Sequence, residues 1–449
     1  MSTNAGLPQD EAAAKAYLAA AELEAARVPG LDAVAPRPIG RVAIIGGGTM
    51  GVGIAVSVAE AGLDVVVVER DAASAEAARA RVSSVYARHL KRAALSDDEK
   101  AARVARVGVT ADWETLRDCT LAIEAVFEDM AVKRDIFARL DARLPAGALL
   151  ATNTSYLDID ALAATVSRPA DVLGLHFFAP ANLMKLLEIV RAARTAPDAL
   201  ATALALAARL KKQPVVAGVC DGFIGNRIYA TYRRHVEYLL EDGAMPEDVD
   251  AALEAFGFAM GPCSVFDLSG LDIAHAMRRR RDATRDPGER YVHIADRLVE
   301  AGRLGRKTGA GWYAYDAEGR KSVDPVTAAI ITAERARKAI APRAFSAADI
   351  QRRVLAVMAN EGAKALAEGI ALRASDIDVA LVNGYGFPRA QGGPMYAADR
   401  RGLAAVLADI DEAHRVGGVG SEAAPLLVEL AKSGGTLGAW RRDLSRSQE

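Results

Sequence analysis

The apolar positions of this chain fall into two regimes. From Arg41 to near Cys220, short aliphatic runs alternate with segments whose apolar residues recur at helical spacing. Val42 to Ile45, Val65 to Val68, Leu121 to Val126, Leu149 to Thr152 and Leu186 to Val190 are such runs, and another ends on His176. Apolar runs of this length between helical stretches predict a parallel sheet covered on both faces. From Asp221 onward the strands stop and the chain reads helical, first as GFIGNRIYATYRRHVEYLLEDG and again from Pro246. Ahead of both regimes, residues 9–27 predict an Ala-rich helix with a stripe of Ala14, Tyr17, Leu18, Ala21 and Ala25. Val28-Pro29-Gly30 stops it, and Pro36-Arg37-Pro38 makes a stiff linker. That stripe packs on the chain's own domains or serves as a docking surface for a partner.

The stretch RVAIIGGGTMGVGIAVSVAEAGLDVVVVERD, residues 41–71, organises the first regime. A strand runs into Gly46, Gly48 and Gly51, spaced G-x-G-x-x-G; a helix follows to Gly62, and a second strand ends on Glu69. That order is what a dinucleotide site requires. The first glycine permits the turn, the second lets backbone N–H groups approach a pyrophosphate, and the third lets helix and strand pack closely. Amides and dipole at the helix N-terminus favour the anion. Glu69 is placed to accept hydrogen bonds from the adenosine ribose and to repel a 2′-phosphate, which favours NAD over NADP; Arg70 beside it weakens that preference.

Further segments carry candidate chemistry. A long helix from Ala73 to Leu95, then Ser96-Asp97-Asp98 as the cap of another, forms an arm larger than an ordinary crossover. Lys91 and Arg92 on it either meet phosphates of a large substrate or are simply solvated. Glu128 and Lys133 flank the start of the helix after Leu121 to Val126, where an acidic residue also suits a helix N-terminus. Asn153-Thr154-Ser155 closes the strand Leu149 to Thr152, at the edge where ligands sit in open parallel sheets; helix capping competes as an account of Ser155. In VLGLHFFAPANLMKLLEIV, residues 172–190, His176 ends one apolar strand and Glu188 lies inside the next. A carboxylate in such a run is costly to bury unpaired, and the histidine is a nearby partner whose basicity it would raise. His89, His235, His275, His293 and His414 lack such a partner signal and read as structural or surface residues.

Composition narrows the function classes. At 449 residues the chain is too long for one core. With net charge −2, nothing in bulk favours nucleic acid, and Arg278 to Arg281 reads as a solvated helix face. Cys119, Cys220 and Cys263 lack metal or disulfide spacing, so reduced thiols and no metal site are expected. MSTNAGLPQDE is no signal peptide, no apolar run spans a membrane, and the terminal SRSQE is not the peroxisomal tripeptide; together these predict a cytoplasmic protein.

The helical regime approximately repeats. Glu237 to Gly243, Asp248 to Asp250, Phe256 to Phe258 and Gly261-Pro262 recur as Glu368-Gly369, Asp376 to Asp378, Gly386 to Pro388 and Gly393-Pro394. Asn226 heads the first copy, whereas the second opens Gln351-Arg352-Arg353; a functional Asn226 therefore makes the second copy a structural duplicate. Between them, Lys307 to Tyr313 predicts a turn closing onto an aromatic strand.

In combination, GGGTMGVGIA, NTS, LHFFAP with Glu188, DGFIGNRI, KTGAGWY and NGYGFPRAQGGPM resemble the L-3-hydroxyacyl-CoA dehydrogenase family. The likeness is greatest to the dehydrogenase half of multifunctional fatty-acid oxidation enzymes, from the Pro29-Gly30 linker to about Leu403. It implies a linker helix (1–38), an α/β Rossmann-type NAD-binding domain (39–218) and two all-α domains of the family's C-terminal type (219–325 and, as a degenerate repeat, 340–449). The implied NAD contacts are Gly46, Gly48, Thr49, Met50, Gly51, Glu69, Glu128, Lys133 and Asn153. His176 and Glu188 match the catalytic dyad, and Ser155 and Asn226 the residues that orient the substrate oxygens. The implied reaction is reversible oxidation of an L-3-hydroxyacyl-CoA to the 3-ketoacyl-CoA. The alternatives are a free hydroxy acid as substrate, or an NAD-binding scaffold that docks a separate enoyl-CoA hydratase through helix 9–27. Two departures stand out. Ala179 replaces the family's usual Asn, removing a polar contact, and the hydratase that fused members carry ahead of the linker helix is expected to be missing. The duplication makes a monomer as reasonable as a homodimer, and the acyl group stays open.

Overall fold

The computed structural model describes residues 10–89 and 96–442. Lys91 and Arg92 lie outside them. The described residues form two compact units, one of residues 19–89, 96–226 and 369–372, the other of residues 10–18, 227–368 and 373–442.

The first unit is built on one sheet of eight strands: β1 (Arg41–Ile45), β2 (Val65–Val68), β3 (Val107–Thr110), β4 (Cys119–Glu124), β5 (Leu149–Thr152), β6 (Val172–Phe177), β7 (Leu186–Val190) and β8 (Gln213–Ala217). Their spatial order is β3-β2-β1-β4-β5-β6-β7-β8, parallel throughout except where β7 runs antiparallel to β6. The helices are α1 (Glu11–Ala25, from Ala19 on), α2 (Thr49–Glu60), α3 (Ala72–His89), α4 (Asp97–Ala105), α5 (Met130–Arg143), α6 (Ile159–Ala163) and α7 (Pro197–Arg209). Every residue of β2, β5 and β7 is buried, as strands covered by helices on both faces must be, including Thr152 and Glu188. β3 carries no such run, since only Val107 of its four residues is buried; it is the strand that hydrophobic pattern alone misses. Ser96 caps α4 through a capping box with Glu99, as its spacing predicts.

The strand order reverses between β1 and β4, which opens a crevice at their carboxyl ends. Gly46 turns the chain there with φ +98°, and a Cβ on Gly51 would stand 1.9 Å from the Gly46 carbonyl oxygen. Both positions therefore need glycine for the turn itself.

The second unit is helical: α8 (Gly225–Asp242, from Arg227 on), α9 (Pro246–Phe256), α10 (Pro262–Ser269), α11 (Leu271–Arg281), α12 (Ile294–Glu300), α13 (Pro325–Arg337), α14 (Ala347–Glu368), α15 (Ala374–Gly384), α16 (Pro394–Arg401), α17 (Leu403–Gly417) and α18 (Pro425–Ser433). α14 packs against α9, α15, α16, α17 and α18, so it is apolar on most of its surface. The sequence repeat is visible as repeated contacts. Asp250 of α9 accepts the N–H groups of Cys263 and Ser264 at the start of α10, and Asp378 of α15 accepts those of Met395 and Tyr396 at the start of α16. A tyrosine hydroxyl completes each: Tyr313 on Asp250 at 3.0 Å and Tyr17 of α1 on Asp378 at 2.7 Å. The two long helices also pair reciprocally. Arg227 of α8 reaches Glu361 and Glu368 of α14, while Arg353 of α14 faces Asp242 at the end of α8.

The stripe of α1 is internal, with Ala14, Leu18, Ala21 and Ala25 all buried and the Tyr17 ring stacked 4.4 Å from Tyr396. Its one large exposed apolar side chain is Leu23. Arg279 to Arg281 are exposed, but Arg278 turns inward to Glu237 and Asp296. Among the described residues no helix is long and apolar enough to cross a membrane, and Cys119, Cys220 and Cys263 form no disulfide.

His235 of α8 is buried beside Ser421, and desolvation, reinforced by Arg234, Arg353, Lys364 and Arg290, pushes its imidazole well below the ordinary value. The unfolded chain binds a proton near pH 6.5 that the fold refuses. Stability is therefore present above that pH and is lost as pH falls through it, by about 1.4 kcal/mol per pH unit. Urea midpoints at about pH 7.5 and about pH 5.5 should fall further for the wild type than for His235→Gln; equal falls would remove His235 as the cause.

Candidate active site

Polar side chains gather at the carboxyl ends of β4, β5 and β6. The antiparallel register of β6 and β7 sets His176 directly opposite Glu188. The His176 Nδ1 lies 2.7 Å from Glu188 Oε2; the carboxylate is fully buried and the imidazole nearly so. The other carboxylate oxygen accepts the N–H of Gly225, the first residue of α8, at 2.9 Å. An ionised carboxylate only accepts, so Nδ1 carries the proton and Nε2 is left as the basic atom. Ser155 Oγ stands 3.2 Å from Nε2, and the rings of Phe178 and Phe223 pack against the imidazole at 4.5 and 5.7 Å. Their apolar walls raise the strength of each polar contact inside.

The loop that carries Ser155 is held by Glu128. Its Oε1 accepts the Thr154 hydroxyl at 2.6 Å and the N–H groups of Ser155 and Tyr156 at 2.9 and 3.3 Å. Below it lies a buried ion pair. Lys133 Nζ donates to both oxygens of Glu124, at 2.7 and 2.8 Å, and neither side chain is exposed. Glu124 also accepts the Thr152 hydroxyl and the Val126 N–H. Asn153 accepts the Phe177 N–H at 2.8 Å, which ties the end of β5 to the end of β6.

At the other side of the crevice, Gly48 is the N-cap of α2 with no side chain bonded there, and a Cβ on it would meet nothing within 4 Å. Thr49 is exposed and Met50 half-buried in the first turn. Glu69 follows β2 and accepts the Gly47 N–H at 2.7 Å, so it borders the glycine turn. An open, uncapped helix N-terminus beside an acidic side chain fits the pyrophosphate and ribose of a dinucleotide.

The structure thus unites His176, Glu188 and Ser155 and brings Glu128 to the same loop. Asn226 follows Gly225 on α8 and is half-buried. Lys133 faces inward to Glu124. Sequence reasoning overlooked Glu124, although the argument used for Glu188, a carboxylate inside an apolar strand, applies equally to LAIEAV. It also treated His275 as unpartnered, whereas its Nδ1 lies 3.2 Å from Asp296, a contact between helices that spacing does not reveal. Among the described residues no group of His, Cys, Asp and Glu is arranged to hold a metal.

Residues 41–220 match the family model "3-hydroxyacyl-CoA dehydrogenase, NAD binding domain", and residues 222–315 match "3-hydroxyacyl-CoA dehydrogenase, C-terminal domain". A peroxisomal bifunctional enzyme of Danio rerio is 40% identical over 425 residues, covering 91% of this chain and 58% of its own length. A 3-hydroxybutyryl-CoA dehydrogenase from Escherichia coli K12 has TM-score 0.76 at 27% identity, covering 89% of this chain and 100% of that one. The dehydrogenase part of multifunctional enzyme 1 from C. elegans has TM-score 0.66 at 27% identity, covering 94% and 100%. The chain spans just over half the length of the curated relatives it matches. These relatives overturn the cytoplasmic expectation, because they are named peroxisomal. Reduced thiols and the lack of a spanning helix suit either compartment; an organelle address is a short segment read by a receptor and leaves no trace in composition or fold.

Gly48→Val should leave the fold intact, since its Cβ meets open space and its backbone is extended. It should weaken NADH binding, read by fluorescence titration, by roughly tenfold or more, through the approach it denies the pyrophosphate. Unchanged affinity with an unchanged circular dichroism spectrum would place the dinucleotide elsewhere.

Proposed function

We propose a reaction for a chain that belongs to the 3-hydroxyacyl-CoA dehydrogenase family: reversible NAD-dependent oxidation of an L-3-hydroxyacyl-CoA to the 3-ketoacyl-CoA, a step of acyl-CoA degradation. The observation that carries it is His176, with Nδ1 engaged by a buried carboxylate and Nε2 turned to Ser155. NAD supplies the acceptor for the C3 hydride when bound, held by the Gly46 to Gly51 turn and Glu69.

His176 Nε2 takes the hydroxyl proton as the C3–H bond breaks. The imidazolium that forms is stabilised by Glu188, whose carboxylate already accepts from Nδ1 and whose orientation the Gly225 N–H holds. Ser155 holds the substrate hydroxyl against Nε2, and Asn226 holds the thioester carbonyl, so that C3 presents its hydrogen to the nicotinamide. In the reverse direction the same imidazolium returns its proton to the ketone oxygen. The Phe178 and Phe223 rings keep water from the imidazole. Of the residues that the family resemblance assigns to the dinucleotide, Thr49 and Met50 lie on the first turn of α2, while Glu128 and Asn153 border Ser155 and His176.

NADH oxidation with acetoacetyl-CoA, beside free acetoacetate, tests both the reaction and its carrier. Turnover of the thioester and little of the free acid is expected; the reverse would move the substrate to free hydroxy acids. His176→Ala should lower kcat by roughly 10² to 10⁴ with NADH affinity kept. Full kcat in that variant would reject His176 as the base.

A further inference from the structure

We propose that the second unit binds a small oxyanion, a phosphate or carboxylate group, on Arg353 of α14. A cavity of about 120 Å³ lies between the early turns of α14, the middle of α17 and the segment that leads into α14. Arg343, Asp349, Arg352, Arg353, Asp409 and Glu412 line it. A space of that size holds several water molecules or one small ion. The inference stands independently of the reaction proposed above.

The Arg353 side chain is only 6% exposed, and its Nη1 has no hydrogen-bond partner among the described residues. Two carboxylates face it, Asp242 at 3.8 Å and Glu412 at 3.9 Å, both beyond hydrogen-bond reach. Each is already held by another cation. Arg290 donates to Asp242 at 2.7 Å and Arg343 to Glu412 at 3.3 Å, while Arg352 takes Asp349 and Arg401 takes Asp409. Four carboxylates are thus met by four other arginines, and Arg353 is the cation left over. Its counterpart on α8 shows the difference, since Arg227 donates three hydrogen bonds to Glu361 and Glu368. Burial, reinforced by Arg343 and Arg290, presses the Arg353 guanidinium below the ordinary arginine range. Arginine nevertheless keeps its proton, so the shortfall must be met by negative charge. Water in the cavity accepts N–H groups but brings no charge. The planar fork of a guanidinium matches two oxygens of a carboxylate or phosphate, which supply both.

Calorimetric titration of the full chain in chloride-free buffer tests this, with inorganic phosphate, acetate and 3′,5′-ADP as probes. One saturable site per chain is expected, with a melting temperature that rises with the concentration of the bound probe. Arg353→Met should abolish both. Arg353→Lys keeps the charge but loses the fork, and should weaken binding by roughly tenfold. Glu412→Gln removes a carboxylate that faces the guanidinium, and should tighten binding by roughly threefold or more. Where Arg353→Met fails to fold, Ala344→Glu decides. Ala344 is exposed on the cavity lining, so the variant leaves Arg353 in place and sets a fixed carboxylate against the incoming anion. Binding should vanish in it while the circular dichroism spectrum stays that of the wild type. Heat from 3′,5′-ADP and none from phosphate would keep the oxyanion and assign it to a nucleotide; heat from acetate alone would make it a carboxylate. No saturable heat from any of the three probes would overturn the inference and leave Arg353 merely hydrated. Binding unchanged in Arg353→Met or in Ala344→Glu would overturn it as well, by placing the anion elsewhere.

Discussion

A carboxylate buried away from water must find every partner within the chain, and Glu188 is the residue on which this constraint bears hardest. It lies in the middle of β7 with no exposure, so its charge has to be met by groups that the fold brings to it. One oxygen is met by the imidazole opposite, the other by a backbone amide at the head of α8. The first partner requires β7 to run antiparallel to β6, the single reversal in an otherwise parallel sheet. The second requires α8 to begin where it does. The pairing of His176 with Glu188 and the topology of this edge are therefore one requirement seen twice.

The same device recurs through the molecule. Glu124 sits at the end of β4 and is met by an ammonium, a hydroxyl and an amide. Asp250 and Asp378 each take two amides at a helix start and a tyrosine hydroxyl. Asp267 takes the amides of Trp312 and Tyr313, and Asp399 those of Leu437 and Gly438. Leaving such a group unsatisfied costs about 1–3 kcal/mol, and more when it is charged. Each pairing thus selects one arrangement of its elements over neighbours that bury the same apolar surface. In the helical copies the arrangement is purely architectural. In the sheet it also orients the His176 imidazole and the Ser155 loop.

How far these features can be read from the chain depends on the range of the interaction. The glycine turn after β1, the helix α2 and the acidic end of β2 are set by neighbours within thirty or so residues, and the pattern from Arg41 to Asp71 displays them. The internal repeat is equally plain, because Asp250 followed by Gly261-Pro262 recurs, four residues wider, as Asp378 followed by Gly393-Pro394. By contrast, β3 is a short edge strand with weak apolar content, and its place depends on pairing with β2. Lys133 reads from sequence only as a charged residue near a helix start, with the family resemblance implying a dinucleotide contact; its pairing with Glu124 across α5 and β4 is visible only in the fold.

The sequence by itself determined the kinds of residue the site contains and the elements that carry them, because helical period, strand runs and turn glycines are local physics. It named His176 and Glu188 and offered each as the other's partner. The tertiary structure alone decided the direction of β7, the amide that holds the second oxygen of Glu188, and the chain of contacts from Glu124 to Ser155. Those depend on which atoms face one another across strands and helices far apart in the chain, and a buried charge accepts only the partners that three-dimensional packing presents to it.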